Sequence, residues 1–104
     1  MTGKADRPRT IAVVGATGAV GEVLLDVLVE RRFPVGELRA LASERSAGKT
    51  VRYDGRDVPV QQARADALDG ADFVFFAATG TLSKELAPEA AKRKAVAIDK
   101  SSTW

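Results

Sequence analysis

Residues 11–21 of the chain read Ile-Ala-Val-Val-Gly-Ala-Thr-Gly-Ala-Val-Gly. The first four residues form an unbroken apolar run, rich in β-branched side chains, which is typical of a strand buried on both faces of a parallel sheet. Gly15 ends this run. From Val20 onward apolar residues recur every three or four positions, which predicts an amphipathic helix ending near Arg31 and Arg32. The stretch therefore predicts a buried strand, a glycine-rich turn and a helix in direct succession.

The spacing of Gly15, Gly18 and Gly21 suits a turn that binds a diphosphate. A sharp turn needs residues without a Cβ, and a phosphate reaches the N–H groups at a helix N-terminus only where no side chain intervenes. Gly15 and Gly18 meet both demands, and Gly21 lets the helix lie close to the strand. The pattern is GxxGxxG rather than GxGxxG, a variant that dinucleotide-binding turns also use. The alternative is a tight strand-to-helix connection that binds no ligand.

The remaining elements alternate along the chain in the order of a doubly wound α/β sheet. The further predicted strands are Leu38 to Ala42, Thr50 to Tyr53, Arg56 to Val60, Phe73 to Phe76 and Val96 to Ile98. A tight turn at Asp54-Gly55 joins two of them in a hairpin, and a second helix is predicted over Ser83 to Lys94, with Ser83 as its cap. We therefore expect a Rossmann-like, mostly parallel sheet with helices on both faces, formed by residues 11–104 after a flexible leader of residues 1–10.

The composition excludes several kinds of chemistry. The 104 residues include no cysteine and no histidine, so thiol nucleophiles, imidazole bases and the common zinc sites are absent. Sixteen Lys and Arg against 14 Asp and Glu leave a net charge of +2, which does not favour a nucleic-acid partner. No apolar run approaches the roughly 18 residues of a membrane helix. We expect a cytoplasmic protein without a membrane partner, too short for a cofactor domain and a substrate domain together.

Polar side chains after the second strand indicate which dinucleotide is bound. In NAD-binding domains an acidic residue at this place usually bonds the ribose hydroxyls. Here Ser43, Arg45 and Ser46 offer two hydroxyls and a guanidinium, donors suited to the 2′-phosphate of NADP, so we predict NADP(H) as the cofactor. An NAD ribose on Glu44 is one alternative, and a solvated loop in which Arg45 pairs with a surface carboxylate is another. Lys49 adds positive charge nearby.

A third candidate contact follows the predicted strand Phe73 to Phe76. Residues 77–81 read Ala-Ala-Thr-Gly-Thr, and these small residues admit a ligand. The carboxyl ends of parallel strands border the ligand crevice of open α/β sheets. We therefore expect Ala78 and Gly80 to lie beside the diphosphate or the nicotinamide ribose. The two threonines of this segment suit cap and turn roles equally well.

Five blocks in order carry a resemblance to a known family: GATGAVG at 15–21, RRFPV at 31–35, LASERSAGK at 41–49, SKELAP at 83–88 and IDKSS at 98–102. They resemble the N-terminal cofactor domain of aspartate-semialdehyde dehydrogenases. The resemblance implies a homo-oligomeric parent enzyme that uses NADPH to reduce aspartyl phosphate to aspartate semialdehyde, on the route to lysine, methionine and threonine. In that family a cysteine carries the thioester and a histidine acts as acid and base.

The resemblance also implies roles for individual residues. Those implied to hold the diphosphate are Gly15, Thr17, Gly18, Ala19 and Val20. Those implied to hold the 2′-phosphate are Ser43, Arg45 and Ser46. No catalytic residue is carried over, so we expect this chain alone to be inactive. The chain departs from the family pattern at Ala77, Thr79, Lys100 and Trp104.

Three other interpretations fit the same pattern. The related N-acetylglutamyl-phosphate reductases share the first glycine block. A stand-alone dinucleotide-binding module is the alternative from a different class of protein. A further alternative is an inert fragment with an exposed sheet edge that makes it aggregate.

Overall fold

The computed structural model describes residues 8–77 and 81–99. Their strands and helices, in chain order, are β1 Arg9–Val14, α1 Ala19–Glu30, β2 Val35–Ala42, β3 Thr50–Tyr53, β4 Arg56–Gln62, β5 Phe73–Phe76, α2 Thr81–Lys92 and β6 Val96–Asp99. Two short 3₁₀ turns, Glu44–Ser46 and Ala65–Leu68, lie between strands. The strands form one sheet in the order β3-β4-β2-β1-β5-β6. All neighbouring strands are parallel except β3, which pairs antiparallel with β4.

The core has two layers because side chains of a strand alternate between the faces of the sheet. Ile11 and Val13 belong to one apolar cluster, with Leu24, Leu25 and Leu28 of α1. The other cluster, on the opposite face, includes Ala12 and Val14 of β1 and Leu86 and Ala90 of α2. Every residue of β1 from Ile11 to Val14 is fully buried. The predicted Rossmann-like sheet with helices on both faces is thereby confirmed.

The strands extend further than the apolar runs that predicted them. β1 begins at Arg9 rather than Ile11, so its first two residues come from the predicted leader. β2 begins at Val35 rather than Leu38, because Val35 and the exposed Glu37 pair with Arg9 and Thr10 of β1, with an irregularity in the register between the two pairs. The guanidinium of Arg39 donates to the backbone carbonyl of Ala67 over 2.9 Å, which accommodates a charge inside the strand. The first residues of β2 were therefore not predicted, because polar side chains interrupt its apolar pattern.

Each of the two helices is followed by a residue in the left-handed backbone conformation, which ends the helix. After α1, Arg32 has φ 52° and the N–H of Phe33 donates to the carbonyl of Leu28 over 3.1 Å, so this helix ends where the sequence predicted. After α2, Lys94 has φ 61°, so this helix ends before Lys94. α2 also begins at Thr81, which places Ser83 inside the first turn. The prediction that Ser83 caps this helix is wrong.

Candidate functional site

The glycine turn between β1 and α1 is tied to the neighbouring strand. Gly15 has φ 89°, a conformation that favours glycine. The N–H groups of Gly15 and Ala16 both donate to the carbonyl of Leu41 in β2, over 2.7 and 3.1 Å. The N–H of Gly18 then donates to the carbonyl of Gly15 over 3.1 Å. These bonds hold the turn at the carboxyl ends of β1 and β2.

Gly21 sets how closely α1 packs on this turn. A Cβ at Gly21 would lie 2.3 Å from the carbonyl oxygen of Gly15 and 2.8 Å from the Cα of Ala16. Both are backbone atoms, which cannot rotate away as the end of a side chain does. A Cβ at Gly18 would meet only the carbonyl oxygen of Gly15, at an ordinary contact distance of 3.6 Å. α1 therefore lies in close contact with the glycine turn that follows β1, where the sequence predicted a close approach of the helix to the strand itself.

The N-terminus of α1 presents backbone donors without a side-chain cap. Gly18 is the N-cap and makes no side-chain hydrogen bond, and the first bond of the helix runs from the N–H of Glu22 to the carbonyl of Gly18, over 3.0 Å. The N–H groups of a first helical turn have no partner within the helix. Gly18 and Ala19 are exposed, whereas Thr17 and Val20 are partly buried. This N-terminus has the geometry and partial positive charge that bind anions.

The polar connection after β2 begins beside the glycine turn. Leu41, which accepts the two hydrogen bonds from the turn, lies two residues before Ser43. Ser43, Arg45 and Ser46 then belong to a single 3₁₀ turn, closed by the N–H of Ser46 donating to the carbonyl of Ser43 over 2.9 Å. The structure thus brings together, from two strand ends, the first two groups of predicted site residues.

Arg45 is exposed and makes no ion pair within the described residues. This differs from Arg52, whose guanidinium lies 3.2 Å from the carboxylate of Asp57, and from Arg93, which lies 2.6 Å from that of Asp69. Among the described side chains no carboxylate pairs with Arg45, and both interpretations of this residue stay predictions. Its guanidinium remains available to a ligand.

The exit of β5 reaches the same edge of the sheet. The N–H of Ala77 donates to the carbonyl of Val14 over 2.8 Å, next to the start of the glycine turn. Ala78 and Gly80, the predicted contacts of this segment, lie outside the described residues, as do Thr79, Lys100 and Trp104. The predictions for Ala78 and Gly80 therefore stay predictions.

The sequence did not reveal a cavity of about 450 Å³ between α1 and β3. Its polar lining comes from the glycine turn, from α1, and from β3 with the residue before it: Thr17, Glu22, Asp26, Lys49, Thr50 and Arg52. These residues are far apart in sequence, so no local pattern joins them. Only one part of this lining could be predicted from the sequence. Glu22 and Asp26 lie four residues apart and therefore share one side of the helix.

The shifted pKa values among the described residues belong to side chains outside this cavity. Burial raises the pKa of Tyr53, and the nearby carboxylate of Asp54 adds to that shift. On α2, hydrogen bonds from Arg93 and then Lys92 lower the pKa of Glu89. In the described ranges no group of acidic residues is placed to hold a metal ion. Neither helix, as far as it is described, has the length and apolar character needed to cross a membrane.

A glycine turn on β1, an uncapped helix N-terminus and a polar connection after β2 define a dinucleotide-binding domain of the Rossmann type. Comparison with known proteins gives its family. The family model "Semialdehyde dehydrogenase, NAD binding domain" matches residues 10–104, and the chain belongs to this family. Its cofactor is accordingly a nicotinamide dinucleotide.

The curated relatives are full-length enzymes. The chain is 46% identical over 97 residues to the aspartate-semialdehyde dehydrogenase of Synechocystis sp., covering 93% of this chain and 29% of the relative. It is 50% identical over 92 residues to aspartate-semialdehyde dehydrogenase 2 of Vibrio cholerae, covering 88% of this chain and 27% of that protein. The chain thus spans less than a third of the length of these relatives.

Solved structures agree with the fold. The aspartate semialdehyde dehydrogenase II of Vibrio cholerae, in complex with a compound abbreviated ASA, superposes with a TM-score of 0.85 at 48% identity, over 92% of this chain and 32% of that one. The Candida albicans enzyme with NADP superposes with a TM-score of 0.68 at 21% identity, over 91% and 30% of the two chains. At that identity the second likeness shows the fold alone.

Proposed function

We propose that the chain is the N-terminal NADP-binding domain of an aspartate-semialdehyde dehydrogenase. The relatives at 45–50% identity that bear this name support the proposal, as do the five sequence blocks that resemble the family. The parent enzyme reduces aspartyl phosphate to aspartate semialdehyde with NADPH, and is cytoplasmic and homo-oligomeric. Residues 11–104 form the domain.

The diphosphate of the cofactor binds at the start of α1. Its contacts are the backbone of Gly15, Thr17, Gly18, Ala19 and Val20. The uncapped N-terminus of α1 supports this role, because free N–H groups and the helix dipole both favour an anion there. Because Gly18 has no side chain, the approach to those donors is open. Ala78 and Gly80, which follow β5 in sequence, are the further proposed contacts of the diphosphate.

The 2′-phosphate binds to Ser43, Arg45 and Ser46. The observation that carries the assignment is the pair of hydrogen bonds from Gly15 and Ala16 to Leu41, which fixes the glycine turn beside the connection that holds these donors. A guanidinium without an ion-pair partner among the described residues, together with two hydroxyls, matches a phosphate that bears close to two negative charges at pH 7. NADPH is therefore favoured over NADH.

The chemistry of reduction lies outside this chain. The cofactor, when bound, would supply the hydride equivalent that reduces an acyl group to an aldehyde. This chain has no cysteine and no histidine, so the covalent and acid–base steps require residues of the rest of the parent enzyme. The described domain binds and orients the cofactor.

Replacement of Arg45 by Ala tests the assignment. We expect Arg45→Ala to weaken NADPH binding by about 1.5–3 kcal/mol, roughly ten- to a hundredfold, because a charge-assisted hydrogen bond is lost, while NADH binding changes less than twofold. Fluorescence titration of the purified chain with each coenzyme measures both affinities.

The matched control is Arg56→Ala. Arg56 is also exposed, but it begins β4 and therefore lies at the opposite edge of the sheet from the glycine turn. Its replacement is expected to leave both affinities unchanged. Equal losses of NADPH and NADH affinity in Arg45→Ala would remove Arg45 from the 2′-phosphate site.

A further inference from the structure

The cavity between α1 and β3 adjoins the proposed cofactor site at two points. Thr17, which lies in the glycine turn, forms part of its wall. Lys49, also in the wall, has its N–H bonded to the carbonyl of Ser46 over 3.2 Å. The cavity therefore lies under both the proposed diphosphate site and the proposed 2′-phosphate site.

The backbone of Lys49 is held firmly although its side chain is exposed. Its carbonyl accepts from the N–H of Val60 over 2.8 Å, and the N–H of Gly48 donates to the carbonyl of Val60 over 2.9 Å. β4 thus anchors the residue from one side while Ser46 anchors it from the other. The ammonium group extends from a fixed point next to the 3₁₀ turn that contains Arg45.

The charges around this cavity are divided between its two walls. Glu22 and Asp26 lie on the α1 side, and Lys49 and Arg52 lie on the β3 side. The guanidinium of Arg52 is 3.2 Å from the carboxylate of Asp57 and is thereby neutralised. Within residues 8–77 and 81–99, no carboxylate lies within 4.0 Å of the Lys49 ammonium. Lys49 thus contributes an unpaired positive charge to this cavity.

We propose that Lys49 is a specificity-determining residue for the 2′-phosphate of NADPH, and that Asp26 opposes it. The proposal rests on the proposed function. Lys49 attracts the phosphate from the cavity side of the 3₁₀ turn, and the carboxylate of Asp26, on the facing wall, repels it. Both groups are exposed, so water and salt screen their effects to a few-fold change in affinity.

Two substitutions with opposite expected signs test the proposal on the full 104-residue chain. We expect Lys49→Gln to weaken NADPH binding about three- to tenfold and Asp26→Asn to strengthen it about twofold or more, with NADH binding unchanged in both. Fluorescence titrations are run at low salt and again at about 0.5 M salt, where screening should abolish both effects. Thermal melting of each variant verifies folding.

The matched control is Arg52→Gln. This residue faces the same cavity, but its charge is already paired, so its removal should change NADPH affinity less than twofold. Equal weakening of NADPH and NADH in Lys49→Gln, or no change at all, overturns the role of Lys49 while leaving the proposed function intact. An unmodified chain that binds neither coenzyme, or binds both equally, overturns the proposed function and this proposal with it.

Discussion

Two regions of this chain need glycine for different reasons: the hairpin between β3 and β4, and the first turn of α1. In the hairpin between β3 and β4, Asp54 and Gly55 both have positive φ, 51° and 78°, and a Cβ at Gly55 would meet no atom within 4 Å. At Gly21 a Cβ would lie 2.3 Å from the carbonyl oxygen of Gly15. The hairpin needs glycine for its backbone conformation, whereas the first turn of α1 needs it at position 21 for space.

The requirement for glycine at position 55 is local, whereas the requirement at position 21 comes from tertiary packing. A local conformation concerns only the turn itself, and a residue with a Cβ adopts it at a modest cost. At Gly21 the space is limited by the contact between α1 and the backbone of Gly15 and Ala16. A side chain there would displace the glycine turn as a whole. The position of the proposed diphosphate contacts therefore depends on Gly21.

The largest effect is expected for Gly21→Ala. Alanine favours a helix by about 1 kcal/mol over glycine, but its methyl group must displace backbone of the glycine turn. We expect a net loss of about 3 kcal/mol or more in the free energy of unfolding, enough to unfold much of a marginally stable small domain. Urea denaturation followed by circular dichroism measures it. A variant as stable as the unmodified chain would show that this contact can relax.

A smaller effect is expected for Gly55→Ala. The left-handed conformation costs a residue with a Cβ about 1–2 kcal/mol, partly offset because alanine lowers the conformational freedom of the unfolded chain. We expect a loss of about 1 kcal/mol in the free energy of unfolding and unchanged NADPH affinity, since the hairpin lies away from the glycine turn. The same denaturation experiment, with a coenzyme titration, checks both. A loss equal to that of Gly21→Ala would remove the distinction between the two turns.

The elements predicted best from the sequence are those marked by an unbroken apolar run or by a dipeptide typical of tight turns. β3 and β5 have the predicted bounds, and the tight turn lies at Asp54-Gly55 as predicted. β4 extends to Gln62, two residues beyond the predicted end at Val60. The start of β2 was missed because Glu37 is polar but exposed, and Arg39 reaches backbone carbonyls of a distant turn. Such compensation by long-range hydrogen bonds leaves no local signal.

The same limit applies to the candidate site. The adjacency of the glycine turn and the Ser43–Ser46 connection was predictable, because carboxyl ends of adjacent parallel strands meet at one edge of the sheet. The cavity beneath them was not. It depends on how α1 crosses over β3, and therefore on Glu22 and Asp26 facing Lys49 across the fold.

The most direct measurement is a titration of the isotopically labelled chain with NADPH, followed by the NMR signals of its backbone amides. A diphosphate bound at the start of α1 should shift the signals of Thr17, Gly18, Ala19 and Val20 more than those of the hairpin at Asp54-Gly55, and the shifts should saturate. Saturable binding that leaves these four amides unmoved would contradict the account.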